Sequence, residues 1–120
     1  MIIAIDFDET IVHSDVFKIK GLVDDAPRVI RKLYDAGHII IIWTCREGVT
    51  KEDAKNTLWN HKIPYHYINE NVPGQSVLYG VDCRKIGADV YIDDKNLYGF
   101  PGWLAVEKYF FDLLDVPINV

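Results

Sequence analysis

Met1-Ile2-Ile3-Ala4-Ile5-Asp6-Phe7-Asp8-Glu9-Thr10 is an apolar run that stops abruptly in acids. Apolar residues without polar alternation mark a strand buried on both faces, the usual habit of parallel sheets. Met1 to Phe7 therefore reads as a short buried strand. The pattern returns further along the chain. His38 to Thr44 holds four successive isoleucines and Trp43, and Asp89 to Ile92 runs into Asp93-Asp94.

Helical patterns separate these runs. Ala26 to Ala36 spaces Val29, Ile30, Leu33 and Tyr34 along one helix face. Asp24 or Asp25 stands where an N-cap belongs, Pro27 suits the first turn, and Gly37 suits the stop. Thr50 to His61 reads as a second helix, with Thr50 and Asp53 resembling a capping box and Pro64 just beyond. Tyr65 to Ile68 is a brief strand. Residues 69 to 82 contain Pro73, Gly74 and Gly80 and read as an irregular loop. Trp103 to Leu114 looks like an amphipathic terminal helix, with Leu104, Tyr109, Phe110 and Leu113 as its core face. Alternating strands and helices predict an α/β fold with a central parallel sheet and helices on both faces. Ligands of such folds bind beyond the carboxyl ends of the strands.

The 120 residues fit one domain, residues 1–120, with no room for a separate substrate-binding unit. Apolar residues at 49% and charged residues at 26% are ordinary for a soluble globular chain. Thirteen basic against eighteen acidic residues give a net charge of −5, which counts against a nucleic-acid surface. No run approaches the roughly 20 apolar residues of a membrane span, and no leader precedes Asp6. A cytoplasmic protein is expected, with Cys45 and Cys83 as reduced thiols and no zinc site.

If the first and last strands are neighbours, Asp6, Asp8, Asp93 and Asp94 converge. Carboxylates that close repel one another unless a cation sits among them. A hard, oxygen-only donor set favours Mg²⁺, which also binds substrate phosphate. Each acid pair alone could merely cap a helix or line a solvated turn. It is their shared position, directly after apolar strands, that points to a metal site.

These residues resemble the haloacid dehalogenase-like superfamily, mostly phosphohydrolases. Its first motif, Asp-x-Asp-x-Thr after a hydrophobic strand, is matched by Asp6-Phe7-Asp8-Glu9-Thr10. Thr44 matches the Thr or Ser that ends the next strand. Lys85 to Asp94 looks like the Lys and the acidic pair of the third and fourth motifs. The resemblance covers residues 1 to about 98 and implies a Rossmann-like three-layer fold. It further implies a Mg²⁺-dependent phosphatase in which Asp6 is the nucleophile, forming an aspartyl-phosphate, and Asp8 is the general acid and base. Asp6, the Asp8 backbone carbonyl and Asp93 would hold the ion, with Asp94 acting through water or hydrogen bonds behind them. Thr44 and Lys85 would hold the non-bridging phosphate oxygens. Arg84 could take the role of Lys85.

Thr10 and Arg46 are candidate substrate contacts; Arg46 could meet a substrate phosphate or carboxylate, and reads equally well as a solvated loop arginine. Glu9 departs from the Gly common at its position, and could cap the following turn or face a leaving group. His13 and His38 read as surface or packing residues. Larger relatives insert a cap domain. Here residues 9 to 25 suffice only for a turn and a flap hairpin, and residues 45 to 84 are largely taken by a helix and a strand. A capless, open site is expected, taking a phosphorylated small molecule or the terminal phosphate of a larger one. Three rivals stand beside this reading. One is a weak or inactive relative used for binding or regulation. Another is a phosphotransferase using the same nucleophile. The third, a phospho-accepting receiver domain, fits poorly: its acceptor Asp belongs where Thr44 stands, and Lys85 precedes the last acids instead of following them.

Overall fold

A computed structural model describes residues 1–74 and 85–112. In chain order the elements are β1 (Ile2–Asp6), β2 (Val12–Asp15), β3 (Lys18–Leu22), α1 (Ala26–Asp35), β4 (Ile39–Trp43), α2 (Gly48–Asn60), β5 (Tyr67–Ile68), β6 (Val90–Ile92) and α3 (Trp103–Glu107). A π-helical turn, Lys108–Asp112, continues α3.

The main sheet has the order β5-β4-β1-β6, and every pairing in it is parallel. It is the centre of a three-layer, Rossmann-like arrangement flanked by helices and largely without a cap. The isoleucine runs follow from that position. Ile3 and Ile5 of β1 and Ile40 and Ile42 of β4 share a buried cluster with Val29, Ile30 and Leu33 of α1 and Ala54 and Leu58 of α2. Ala4 and Ile41, one residue out of phase, join Ile86 on the opposite face. Side chains alternate across a strand, so a strand with two buried faces must be apolar throughout.

Local signals set the helix ends. Gly37 takes a left-handed backbone (φ 93°) just after α1. Its N–H donates to the Tyr34 carbonyl at 3.0 Å, and the His38 N–H donates to Leu33 at 3.2 Å. This pair of bonds closes the helix with a residue free of Cβ strain. Asp25 does occupy the N-cap, but its carboxylate pairs with Arg28 instead of capping the backbone. The second helix starts earlier than the expected Thr50: Glu47 is its N-cap, and the Glu47 N–H donates to Thr50 Oγ1 at 3.2 Å. The capping pair is therefore Glu47 with Thr50, not Thr50 with Asp53.

Trp103 and Val106 bury the apolar side of α3, while Leu104 and Tyr109, expected in the core, are exposed. The helix is tied to α1 by Glu107, which accepts from Arg28 at 2.7 and 3.0 Å and from Lys32 at 2.9 Å. Leu113 and Leu114 lie outside the described residues.

Between β1 and α1, β2 and β3 form an antiparallel hairpin. This is the small flap that the short insertion allows. Its tip is Val16-Phe17, both with positive φ (46° and 65°), the backbone of a two-residue hairpin turn.

Candidate active site

Strand register brings the acids together. Ile5 pairs with Ile92, so the next residue on each strand, Asp6 and Asp93, leaves the sheet side by side. On the other flank Asp6 pairs with Trp43, which brings Thr44 to the same end of the sheet. One carboxylate oxygen from each of Asp6, Asp93 and Asp94 lies within 4.8 Å of the others, and all three residues are half-buried. Burial, a hydrogen bond shared with Asp94 and the charges of Asp93 and Asp94 push the Asp6 carboxyl up to about 8. Those are the symptoms of crowded carboxylates whose one near cation, the exposed Lys95 ammonium, stands 3.9 Å from Asp94 and offsets them little. A divalent cation relieves each of them, and three converging oxygens suit a hard one.

An open pocket of about 420 Å³ lies over this cluster. Asp6, Asp8, Asp93 and Asp94 line its floor; the exposed Glu9, Phe17, Cys45 and Lys95 form its rim. A larger hollow, about 620 Å³, surrounds Trp59 and Tyr34 and contains none of these acids. The chemistry is in the smaller one.

The turn after β1 explains how two aspartates reach one pocket. The Phe7 carbonyl accepts from the N–H groups of Thr10, Ile11 and Val12 at 3.4, 2.9 and 3.2 Å. The chain turns tightly back on the Phe7 carbonyl, and the Phe7 side chain is buried. Glu9 holds a left-handed backbone there, φ 61°, and this is the conformation in which glycine is costless. Its carboxylate accepts the Ser14 N–H at 2.7 Å, fastening the start of the hairpin, so of the two roles expected for Glu9 it performs the capping one.

The remaining predicted residues divide into those near the pocket and those behind it. Thr44 is buried, with its N–H donated to Asn69 Oδ1 at 2.8 Å and its Oγ1 accepting the Arg46 N–H at 3.1 Å. Its hydroxyl proton is not used in either bond. Thr10 has no exposure and donates to Asp6 Oδ2 at 3.4 Å. It stands behind the nucleophile candidate, away from the open pocket. Arg46 also has no exposure and does not line the pocket. It is not a solvated loop residue, and its donors are turned to protein groups. Its guanidinium faces Asp8, with Nη2 to Oδ1 at 2.7 Å and Nε to both oxygens at 3.1 and 3.0 Å. Lys85 is exposed and places its ammonium 5.1 Å from the centre of the Tyr91 ring, outside the pocket lining. Arg84 lies outside the described residues.

Two participants escaped the sequence reading. Lys95 is on the rim, its Nζ 3.9 Å from Asp94 Oδ2; its only signal was its place directly after the acidic pair. Asn69 supports Thr44 from the end of β5, with a left-handed backbone (φ 57°) that a polar residue with a short side chain tolerates.

The chain matches no protein-family model and no curated protein. It is similar to a solved structure of a conserved protein coded by a locus of Bacteroides thetaiotaomicron. The two share 28% sequence identity and superpose with a TM-score of 0.84, over 94% of this chain and 91% of the other. A small α/β fold, a parallel sheet and a half-buried aspartate cluster at its carboxyl edge are consistent with the haloacid dehalogenase-like resemblance.

Proposed function

We propose that the protein is a haloacid dehalogenase-like phosphatase that hydrolyses phosphate monoesters with Mg²⁺. The observation that carries this reading is the convergence of Asp6, Asp93 and Asp94 within 4.8 Å, in the pocket that Asp8 also lines. Mg²⁺ held by Asp6, Asp93 and the Asp8 backbone carbonyl, with Asp94 behind them, would neutralise charge between Asp6 and the phosphate.

The chain's own residues then divide the work. An Asp6 carboxylate oxygen attacks phosphorus while the bond to the leaving oxygen breaks. Asp8 gives that oxygen a proton, and an alcohol departs. A water molecule next attacks the aspartyl-phosphate, passing its proton to Asp8 as the bond to Asp6 breaks, and inorganic phosphate leaves with both acids restored. Thr44, at the same end of the sheet as Asp6 though not among the residues lining the pocket, would offer its unused hydroxyl proton to a phosphate oxygen. Lys95 is better placed than Lys85 for the cationic contact, being on the pocket rim. The open pocket favours a substrate whose bulk lies outside it, either a phosphorylated small molecule or a terminal phosphate on something larger. No described helix is long and apolar enough to cross a membrane. A cytoplasmic setting, with Cys45 a thiol, belongs to the same proposal.

The test is phosphate release from a panel of monoesters, with and without Mg²⁺, and with Asp6→Asn as control. Turnover that ignores both Mg²⁺ and the substitution sinks the mechanism. No turnover on any ester moves the reading to a binding module, and transfer to an alcohol in place of water moves it to a phosphotransferase.

A further inference from the structure

We propose that Arg46 is the positioning residue of Asp8, and that it locks the hairpin tip and the acid/base carboxylate into one unit. The inference rests on the phosphatase reading above and adds to it how the proton-transferring group is aimed.

Arg46 is completely buried, a costly place for a cation unless it is paired and hydrogen-bonded. Its partners come from three separate segments. Nε and Nη2 hold the Asp8 carboxylate, Nη1 donates to the Thr50 carbonyl in the first turn of α2 at 3.0 Å, and Nη2 donates to the Phe17 carbonyl at 2.8 Å. The guanidinium carbon also lies over two rings, 5.0 Å from the centre of Phe7 and 5.2 Å from that of Phe17. Phe7 sits between the two aspartates in the chain, and Phe17 is the hairpin tip on the pocket rim. One side chain therefore touches the strand end, the flap and the helix that follows.

The contacts also distinguish the two oxygens of Asp8. Oδ1 accepts from both Nε and Nη2, whereas Oδ2 accepts only from Nε. Oδ2 therefore carries one donor fewer than Oδ1, and Asp8 also lines the pocket, so the held carboxylate keeps lone-pair space with which to exchange a proton with a leaving oxygen or a water. A planar fork can fix a carboxylate this way, and a lysine ammonium cannot.

The test is Arg46→Lys, which keeps the charge and loses the fork, with Arg46→Gln as a second variant should the first not fold. An alkyl phosphate needs its leaving oxygen protonated; p-nitrophenyl phosphate does not. The expected result is a kcat lowered about 100-fold on the alkyl ester and less than about tenfold on the nitrophenyl ester. KM stays within about twofold on both, because Arg46 does not touch substrate. Equal losses on the two esters overturn the proposal, since mere damage to the fold slows both alike. A second readout needs no turnover: NMR of the Asp8 carboxyl carbon and the Val16 and Phe17 amides. Both sets of signals move together in the variant if Arg46 joins them, and an unmoved Asp8 signal overturns the proposal. A wild-type protein that hydrolyses no ester defeats the phosphatase reading alone, and the NMR result still decides the positioning claim.

Discussion

Asp6 and Asp8 leave the same strand end with only Phe7 between them, and enter opposite surroundings. Asp6 faces two more carboxylates, and its charge is disfavoured by burial and by both of them. Asp8 faces a buried guanidinium whose donors hold it on one side. Two carboxyl groups given different environments can perform different tasks, one as a nucleophile beside a cation and one as a proton carrier. The sheet makes the first environment by parallel register. The turn around Phe7 makes the second by sending Asp8 across to Arg46.

Removing the cation strikes only the Asp6 side, and has the largest expected effect. Chelation by EDTA should lower phosphate release by about 1,000-fold or more, several kcal/mol of lost stabilisation, and added Mg²⁺ should restore it. Activity that survives chelation would erase the distinction between the two acids. The Asp8 side is broken by Asp8→Ala, which leaves the fully buried Arg46 without its carboxylate. Urea unfolding should show a loss of about 3 kcal/mol, the lower end for a broken buried pair because Asp8 itself is partly solvated.

Asp6 should behave in the opposite way. A carboxyl whose folded value lies at about 8, against an ordinary 3.8, binds more protons folded than unfolded between those values. The metal-free protein should therefore lose stability as pH rises from about 4 to 8, by about 1–2 kcal/mol once solvent screening of a half-buried group is allowed for. Asp6→Asn should flatten that slope and leave the metal-free protein more stable than wild type at pH 8. Urea melts in EDTA at pH 5 and pH 8 decide it; a parallel slope in the variant would falsify the assignment to Asp6.

The Asp6 half of this comparison was legible in the sequence, because it depends on features that act through the backbone. Unbroken apolar runs such as Ile39 to Ile42 announce a sheet buried on both faces, and acids directly after two of them fall at its carboxyl edge. The Asp8 half was not legible. Arg46 follows Thr44 in a polar stretch that looks like any exposed loop, and nothing local says that Phe7, Phe17 and Thr50 close around it. Only the Thr50 contact is local, four residues on; Asp8 and Phe17 are 38 and 29 positions away. Thr10 and Lys85 show the same limit from the other direction: their places in the chain matched the motif, while packing set Thr10 behind Asp6 and the Lys85 ammonium over Tyr91. The hairpin tip lacks the Asn-Gly or Asp-Gly signature of its turn, so only the length of the insertion hinted at it.

That missing signature supplies the smallest and most discriminating test. Val16 is 92% exposed, so its side chain contributes almost no packing, yet its β-branched backbone is held at φ 46°. A left-handed conformation is costly for such a residue and mild for asparagine. Val16→Asn should therefore stabilise the protein by about 0.5–1 kcal/mol in urea melts. Phe17 is left in place, with its carbonyl on Arg46 and its ring against the guanidinium, so turnover should not change. If the turn relaxes and activity falls as stability rises, the strain itself is helping to hold Asp8, and the hairpin belongs to the Asp8 environment through its backbone as well as through Arg46. If both stay at wild-type values, the strain is absorbed within the hairpin, and the link between flap and carboxylate runs through Arg46 alone.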